Sequence, residues 1–134
     1  MPQYKHPYPL PVARATTNAK VYIDGNPFCR KSTDELAALV GINRNLLQQS
    51  FKFTYFKTIK EYQFEKRMQA VCELLLEGKL SKKEIARKCG YENANNFSNA
   101  FKKLYKMSPS EYQRHHWANN AAVSIDNKAG RIDQ

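Results

Sequence analysis

Seven side chains able to make paired hydrogen bonds fall into two groups about 50 residues apart. The first is Arg44, Asn45, Gln48 and Gln49; the second is Asn95, Asn96 and Asn99. These residue types break no bonds, but they present donors and acceptors at fixed spacing. Asn and Gln match an adenine edge with two hydrogen bonds, and Arg matches guanine or clamps a phosphate. Cations follow each group, Lys52 after the first and Lys102-Lys103 after the second, with Ser98 between Asn96 and Asn99. Lys52, Lys102, Lys103 and Ser98 are the phosphate-contacting candidates, and such contacts position a protein rather than specify sequence. The chemistry implied is reversible recognition of duplex nucleic acid.

The residues argue against catalysis. His6, His115 and His116 are the only histidines, and they fall in the N-terminal arm and at the expected end of the last helix. There is no glycine-rich phosphate loop. Cys29, Cys72 and Cys89 show no metal-type spacing; Cys72 and Cys89 read as core filler. No enzyme activity, cofactor or metal is expected. An odd cysteine count without a framework fits a reducing, cytoplasmic compartment. No apolar run approaches the roughly 20 residues that cross a membrane, and membrane binding is not expected.

Charge narrows the partner. The 134 residues carry 22 Lys+Arg against 12 Asp+Glu, a net charge of +10, with a pI of 9.6. Residues 1–31 contribute five basic side chains against one acidic, and residues 32–114 contribute fifteen against nine. The last 20 residues are balanced. A basic chain of one-domain length favours an acidic partner.

An internal repeat must position the two polar groups. Ser32-Thr33-Asp34-Glu35-Leu36-Ala37, followed by Gly41-Ile42, recurs 49 residues later as Ser81-Lys82-Lys83-Glu84-Ile85-Ala86 and Gly90-Tyr91. Phe51-Lys52 recurs at Phe101-Lys102, now 50 residues on, so one residue is inserted in the second turn. Thr58-Ile59-Lys60-Glu61-Tyr62 then matches Ser108-Pro109-Ser110-Glu111-Tyr112. Each block opens on Ser or Thr with Glu three residues later, the capping box that satisfies orphan amides at a helix start. Four such boxes in register predict four helix starts.

Periodicity supplies the rest. A short helix over 33–39 turns Leu36 and Ala37 inward, with Leu39 or Val40, and Gly41 and Gly90 suit the left-handed turn that ends such a helix. A second helix from about Arg44 buries Leu47 and Phe51, and its counterpart from about Ala94 buries Phe97 and Phe101. Residues 58–78 read as one long helix with Tyr62, Met68 or Gln69, Cys72, Leu75 and Leu76 on its apolar side. Residues 1–14 hold Pro2, Pro7, Pro9 and Pro11 and read as an extended arm; a helix over 15–24 stops at Gly25-Asn26-Pro27. Residues 117–134 read as a mobile tail. The expected fold is all-α and homeodomain-like, about seven helices in two helix-turn-helix units. The domain covers 15–116: first unit 32–54, linker helix 58–78, second unit 81–105 and final helix 108–116.

Residues 32–112 resemble the AraC/XylS family of bacterial transcription regulators. The second unit carries the resemblance most fully, through Ser81-x-x-Glu84-Ile85-Ala86-x-x-Cys89-Gly90-Tyr91, Asn96-Phe97-Ser98-x-Ala100-Phe101-Lys102-Lys103 and Ser108-Pro109-Ser110-Glu111-Tyr112. The resemblance implies two recognition helices entering successive major grooves of double-stranded DNA, with RNA polymerase as a second partner. A linker of about 20 residues spans about 30 Å, near the roughly 34 Å of one DNA turn. Arg44, Asn45, Gln48 and Gln49 would then be the base-facing set of the first unit, and Asn95, Asn96 and Asn99 that of the second. The family often has Arg where Asn99 stands, which implies a different, A·T-richer half-site for the second unit.

Two departures from the family pattern follow. Phe56 and Lys106 stand where glycine is common, so either the chain takes a left-handed turn at a cost of order 1 kcal/mol or the turn differs locally. Only 31 residues precede Ser32, too few for a sensor domain. The chain is thus expected to resemble stand-alone members acting as monomers and activators, unless a sensor has been trimmed. A different reading stays open: a protein-interaction module that binds another regulator or RNA polymerase and has no specific site of its own.

Overall fold

The computed structural model describes residues 7–130, with side chains described through Asn119. Lys5 and His6 of the arm, and residues 131–134, lie outside the described residues. Seven helices follow one another: α1 (Leu10–Gly25), α2 (Thr33–Val40), α3 (Arg44–Tyr55), α4 (Ile59–Glu77), α5 (Lys82–Lys88), α6 (Ala94–Tyr105) and α7 (Pro109–Gly130). No strand occurs among the described residues. The chain divides into two compact units, Met1–Gln69 and Ala70–Gln134, and the division falls inside α4.

All four capping boxes form. Backbone N–H groups of Glu35, Glu61, Glu84 and Glu111 donate to the hydroxyls of Ser32, Thr58, Ser81 and Ser108, each at 3.1 Å. Each Glu carboxylate accepts from the N–H of its own Ser or Thr at 2.8–2.9 Å. That backbone bond is the main reason all four carboxyls are held below the usual 4.5. Gly41 closes α2 in the left-handed conformation, φ 82°. Gly90 is also left-handed, φ 88°, one residue beyond the α5 cap at Cys89.

The first unit packs α1, α2, α3 and the start of α4 around Ala19, Ile23, Leu36, Ala37, Leu47, Phe51, Ile59 and Tyr62. Leu39 is 53% exposed, so Val40 rather than Leu39 joins this core. A buried hydroxyl pair lies within it: Thr16 Oγ1 and Ser50 Oγ are 2.6 Å apart. Thr16 also reaches Val12 O at 2.8 Å, and Ser50 reaches Leu47 O at 3.3 Å. The Tyr62 hydroxyl donates to Asp24, and burial pushes the phenol up to about 12. Lys20 pairs with the same carboxylate at 2.9 Å. On α4, Met68, Val71 and Leu75 are buried, Cys72 is half-buried and Gln69 is exposed.

In the second unit Ile85, Ala86, Cys89, Phe97 and Phe101 are buried. Gln113 ties α7 to α4 by donating to Leu75 O at 2.5 Å, and accepts from Lys82 Nζ at 2.7 Å. The Trp117 indole N–H donates to Leu76 O at 3.1 Å, satisfying a carbonyl in the last turn of α4.

Two boundaries differ from the expectation. The arm over 1–14 is not extended to its end: α1 starts at Leu10, with Pro9 as its N-cap and Pro11 in its first turn. A first-turn proline loses no helical hydrogen bond, because that N–H has no partner anyway. The final helix does not stop at 116 but runs to Gly130. Nothing between Pro109 and Gly130 breaks it, and Trp117 and Gln113 anchor its first turns. His115 and His116 are therefore interior to a helix, and the His116 ring stacks on Tyr112 at 4.0 Å.

Candidate nucleic-acid interface

Each recognition-helix candidate is built the same way. Asn43 caps α3, its Oδ1 accepting from Leu46 N at 2.8 Å. Asn93 caps α6 through Asn96 N at 2.9 Å. Leu47 and Phe51 on α3, and Phe97 and Phe101 on α6, are fully buried. Apolar residues four apart lie on one helix face, so the remaining face must be outward. Arg44, Asn45, Gln48, Gln49 and Lys52 are exposed on α3, as are Asn95, Asn96, Asn99, Lys102 and Lys103 on α6. Ser98 is half-buried. Each unit thus gathers its own set on one helix, as the sequence reading expected of their placement.

Most of these groups remain available to a ligand. Among the described residues, the side-chain amides of Asn45, Gln48, Gln49, Asn95, Asn96 and Asn99 make no hydrogen bond within the protein. Arg44 has one loose exposed partner, with its Nε 3.8 Å from Asp34 Oδ1.

Both helices end on a left-handed residue that is not glycine. Phe56 has φ 62° and ψ 21°, and Lys106 has φ 65° and ψ 14°. The chain takes the strained turn in both units rather than a different local path. Each turn closes its helix with a cap bond, Phe56 N to Lys52 O at 2.9 Å and Lys106 N to Lys102 O at 2.7 Å.

The outward face of α3 forms one side of an open groove of ≈ 600 Å³. Thr33 of α2, Thr58, and Ile59 and Lys60 of α4 complete it with Arg44, Gln48, Gln49, Lys52 and Phe53. The sequence reading missed Phe53 and Lys60, and it missed Asn43 and Asn93 as caps. Comparing positions 50 apart finds them: Asn43 and Asn93 are identical, whereas Phe53 faces Lys103 and Lys60 faces Ser110.

Residues 36–115 match the family described as a helix-turn-helix domain. A curated relative from Pseudoalteromonas carrageenovora, an uncharacterised HTH-type transcriptional regulator, is 35% identical over 72% of this chain and 57% of its own length. The xylose operon regulatory protein of Escherichia coli strain K12 is 31% identical over 74% of this chain and 25% of its own. The chain therefore spans little more than half of the first relative and a quarter of the second. Among solved structures, the C-terminal domain of AraT, a response regulator from Geobacillus stearothermophilus, has a TM-score of 0.69 at 27% identity. That likeness covers 75% of this chain and 84% of the AraT domain. The matched segment contains both recognition-helix candidates, and the chain belongs to the AraC/XylS family of helix-turn-helix transcription regulators.

Proposed function

We propose that this chain is a sequence-specific duplex-DNA-binding transcription regulator that reads two successive major grooves with α3 and α6. One observation carries the reading. Two repeat-related helices bury the same Leu/Phe or Phe/Phe pair and each exposes amides that the protein itself leaves unused. Arg44, Asn45, Gln48 and Gln49 face bases in the first unit, and Asn95, Asn96 and Asn99 in the second. Lys52, Lys102, Lys103 and Ser98 hold phosphates. The regulator acts as a monomer, because each unit brings its own reading helix. Activation through contact with RNA polymerase follows from the family resemblance.

The test is selection from a random duplex library at two salt concentrations. An asymmetric site with two motifs about 10 base pairs apart supports the two-groove reading. Enrichment of one motif alone removes one unit from base readout. Binding that vanishes as salt rises, with no motif enriched, leaves only phosphate attraction and refutes the proposal. A protein-interaction module is the second reading, favoured by Phe56, which is 85% exposed.

A further inference from the structure

We infer that the groove over α3 is a site for a small amphipathic organic anion, a carboxylate carried on an apolar body, whose binding displaces DNA from the first unit. The volume of ≈ 600 Å³ lies within the range of small-molecule sites, about 300–1,000 Å³. Its lining combines two chemistries. Ile59, 3% exposed, closes the base, and Phe53, edge-on to Tyr8 at 5.9 Å and still 44% exposed, offers an aromatic wall. Arg44, Lys52 and Lys60 bring three cations, and no carboxylate lines the groove. Arg44 leans on Asp34, which leaves Lys52 and Lys60 as the principal partners for an anion. An aromatic wall beside lysines fits a ligand whose charge and apolar body are joined.

The second unit supplies an internal comparison. At the positions matching Arg44, Phe53, Ile59 and Lys60 it has Ala94, Lys103, Pro109 and Ser110. Phosphate contact needs cations and gains nothing from a phenyl ring, and the second unit places lysine there. At these matched positions the aromatic-cationic combination is found in the first unit and not in the second. Because Gln48 and Gln49 line the same groove, an occupant covers two base-facing amides. Displacement, unlike anion binding itself, rests on the DNA reading above.

The experiment titrates 4-phenylbutyrate, and separately the neutral 4-phenylbutan-1-ol, into the full DNA-free chain while amide resonances are followed. Saturable shifts centred on Gln48, Gln49, Phe53 and Lys60, with the acid bound about tenfold more tightly than the alcohol, are expected. Phe53→Ala, which removes the aromatic wall without adding a cation, should weaken acid and alcohol alike by about tenfold or more while low-salt DNA affinity is kept. Lys60→Gln should narrow the acid's advantage over the alcohol, and Lys52→Gln together with Lys60→Gln should remove it. Equal binding of acid and alcohol, no saturation, or binding unchanged in Phe53→Ala overturns the inference. In a parallel DNA titration the acid should raise the apparent Kd. A filled groove with undisturbed DNA affinity overturns displacement, whereas a chain that binds the acid but no DNA refutes the proposed function and leaves the anion site standing.

Discussion

Replacing Lys106 by glycine should stabilise the second unit. Lys106 holds φ 65° and ψ 14° as the cap of α6, a conformation that costs an L-residue roughly 1–2 kcal/mol. Glycine removes that cost but loses more backbone entropy on folding, about 0.5–1 kcal/mol. The Lys106 side chain is exposed and makes one long bond, Nζ to Lys103 O at 3.3 Å, so little packing is lost. The balance favours glycine by about 0.5–1 kcal/mol. With a urea m-value of about 1 kcal/mol/M for so small a unit, the midpoint rises by about 0.5–1 M. Trp117 is the only tryptophan, and its indole bonds to Leu76 O within this unit, so its fluorescence reports this unfolding. Lys106→Ala is the control, because it removes the charge and the long bond but keeps a Cβ in the left-handed region. It should give no comparable gain. A glycine variant no more stable than the alanine variant refutes the strain argument.

Two further outcomes follow from the caps and the core. Glu35, Glu61, Glu84 and Glu111 are held below 4.5 chiefly by the N–H of their capping residue. A lowered folded pKa gives stability that is complete above the unfolded value and lost as pH falls through the folded one. Glutamine at these positions still closes the box but does not titrate, so a Glu→Gln variant should show a flatter acid limb in urea midpoints from pH 7 to pH 3; an unchanged limb would sink the assignment. Thr16→Val and Ser50→Ala each leave the surviving hydroxyl a backbone acceptor, Leu47 O or Val12 O. A double-mutant cycle should therefore find a coupling of about 0.5–1.5 kcal/mol, and strict additivity would mean that the 2.6 Å contact contributes nothing.

What was legible depended on whether the signal was local and repeated. The helix starts at Ser32, Thr58, Ser81 and Ser108 were readable because cap chemistry is complete within four residues. The α3 and α6 cores were readable because Leu47/Phe51 and Phe97/Phe101 show helical spacing. The start of α1 was not, because proline reads as a breaker unless its place in the first turn is known. The anchoring of α7 beyond residue 116 was not readable either, because Trp117 meets a carbonyl 41 residues earlier, which no local window contains. Thr16 and Ser50 are 34 residues apart, and neither type alone predicts burial. The outward faces of α3 and α6 were legible, but the groove beside α3 was not, since Thr33, Phe53 and Lys60 come from three helices.

The repeat also separates what the fold requires from what each unit does with it. Several positions shared between the units cap or fill helices: Ser32 and Ser81, Asn43 and Asn93, Phe51 and Phe101, Tyr62 and Tyr112. Even the strained turn is kept, at Phe56 and Lys106, where side chains as unlike as phenyl and ammonium adopt the same φ and ψ within a few degrees. The backbone there is dictated by cap bonds to Lys52 O and Lys102 O, not by the residue that bears it. Outward positions are kept in part, at Asn45 and Asn95 and at Lys52 and Lys102, and differ elsewhere: Gln49 against Asn99, Phe53 against Lys103, Lys60 against Ser110. On the proposed DNA reading, Asn99, one methylene shorter than Gln49, would meet a base edge only at closer approach, where the two lysines after Phe101 would add to the phosphate grip. The first unit has the longer amides, fewer lysines at the end of its helix and an aromatic wall. One scaffold, duplicated, thus presents two chemically different faces, and the proposed anion site belongs to the one that sets Phe53 beside Arg44, Lys52 and Lys60.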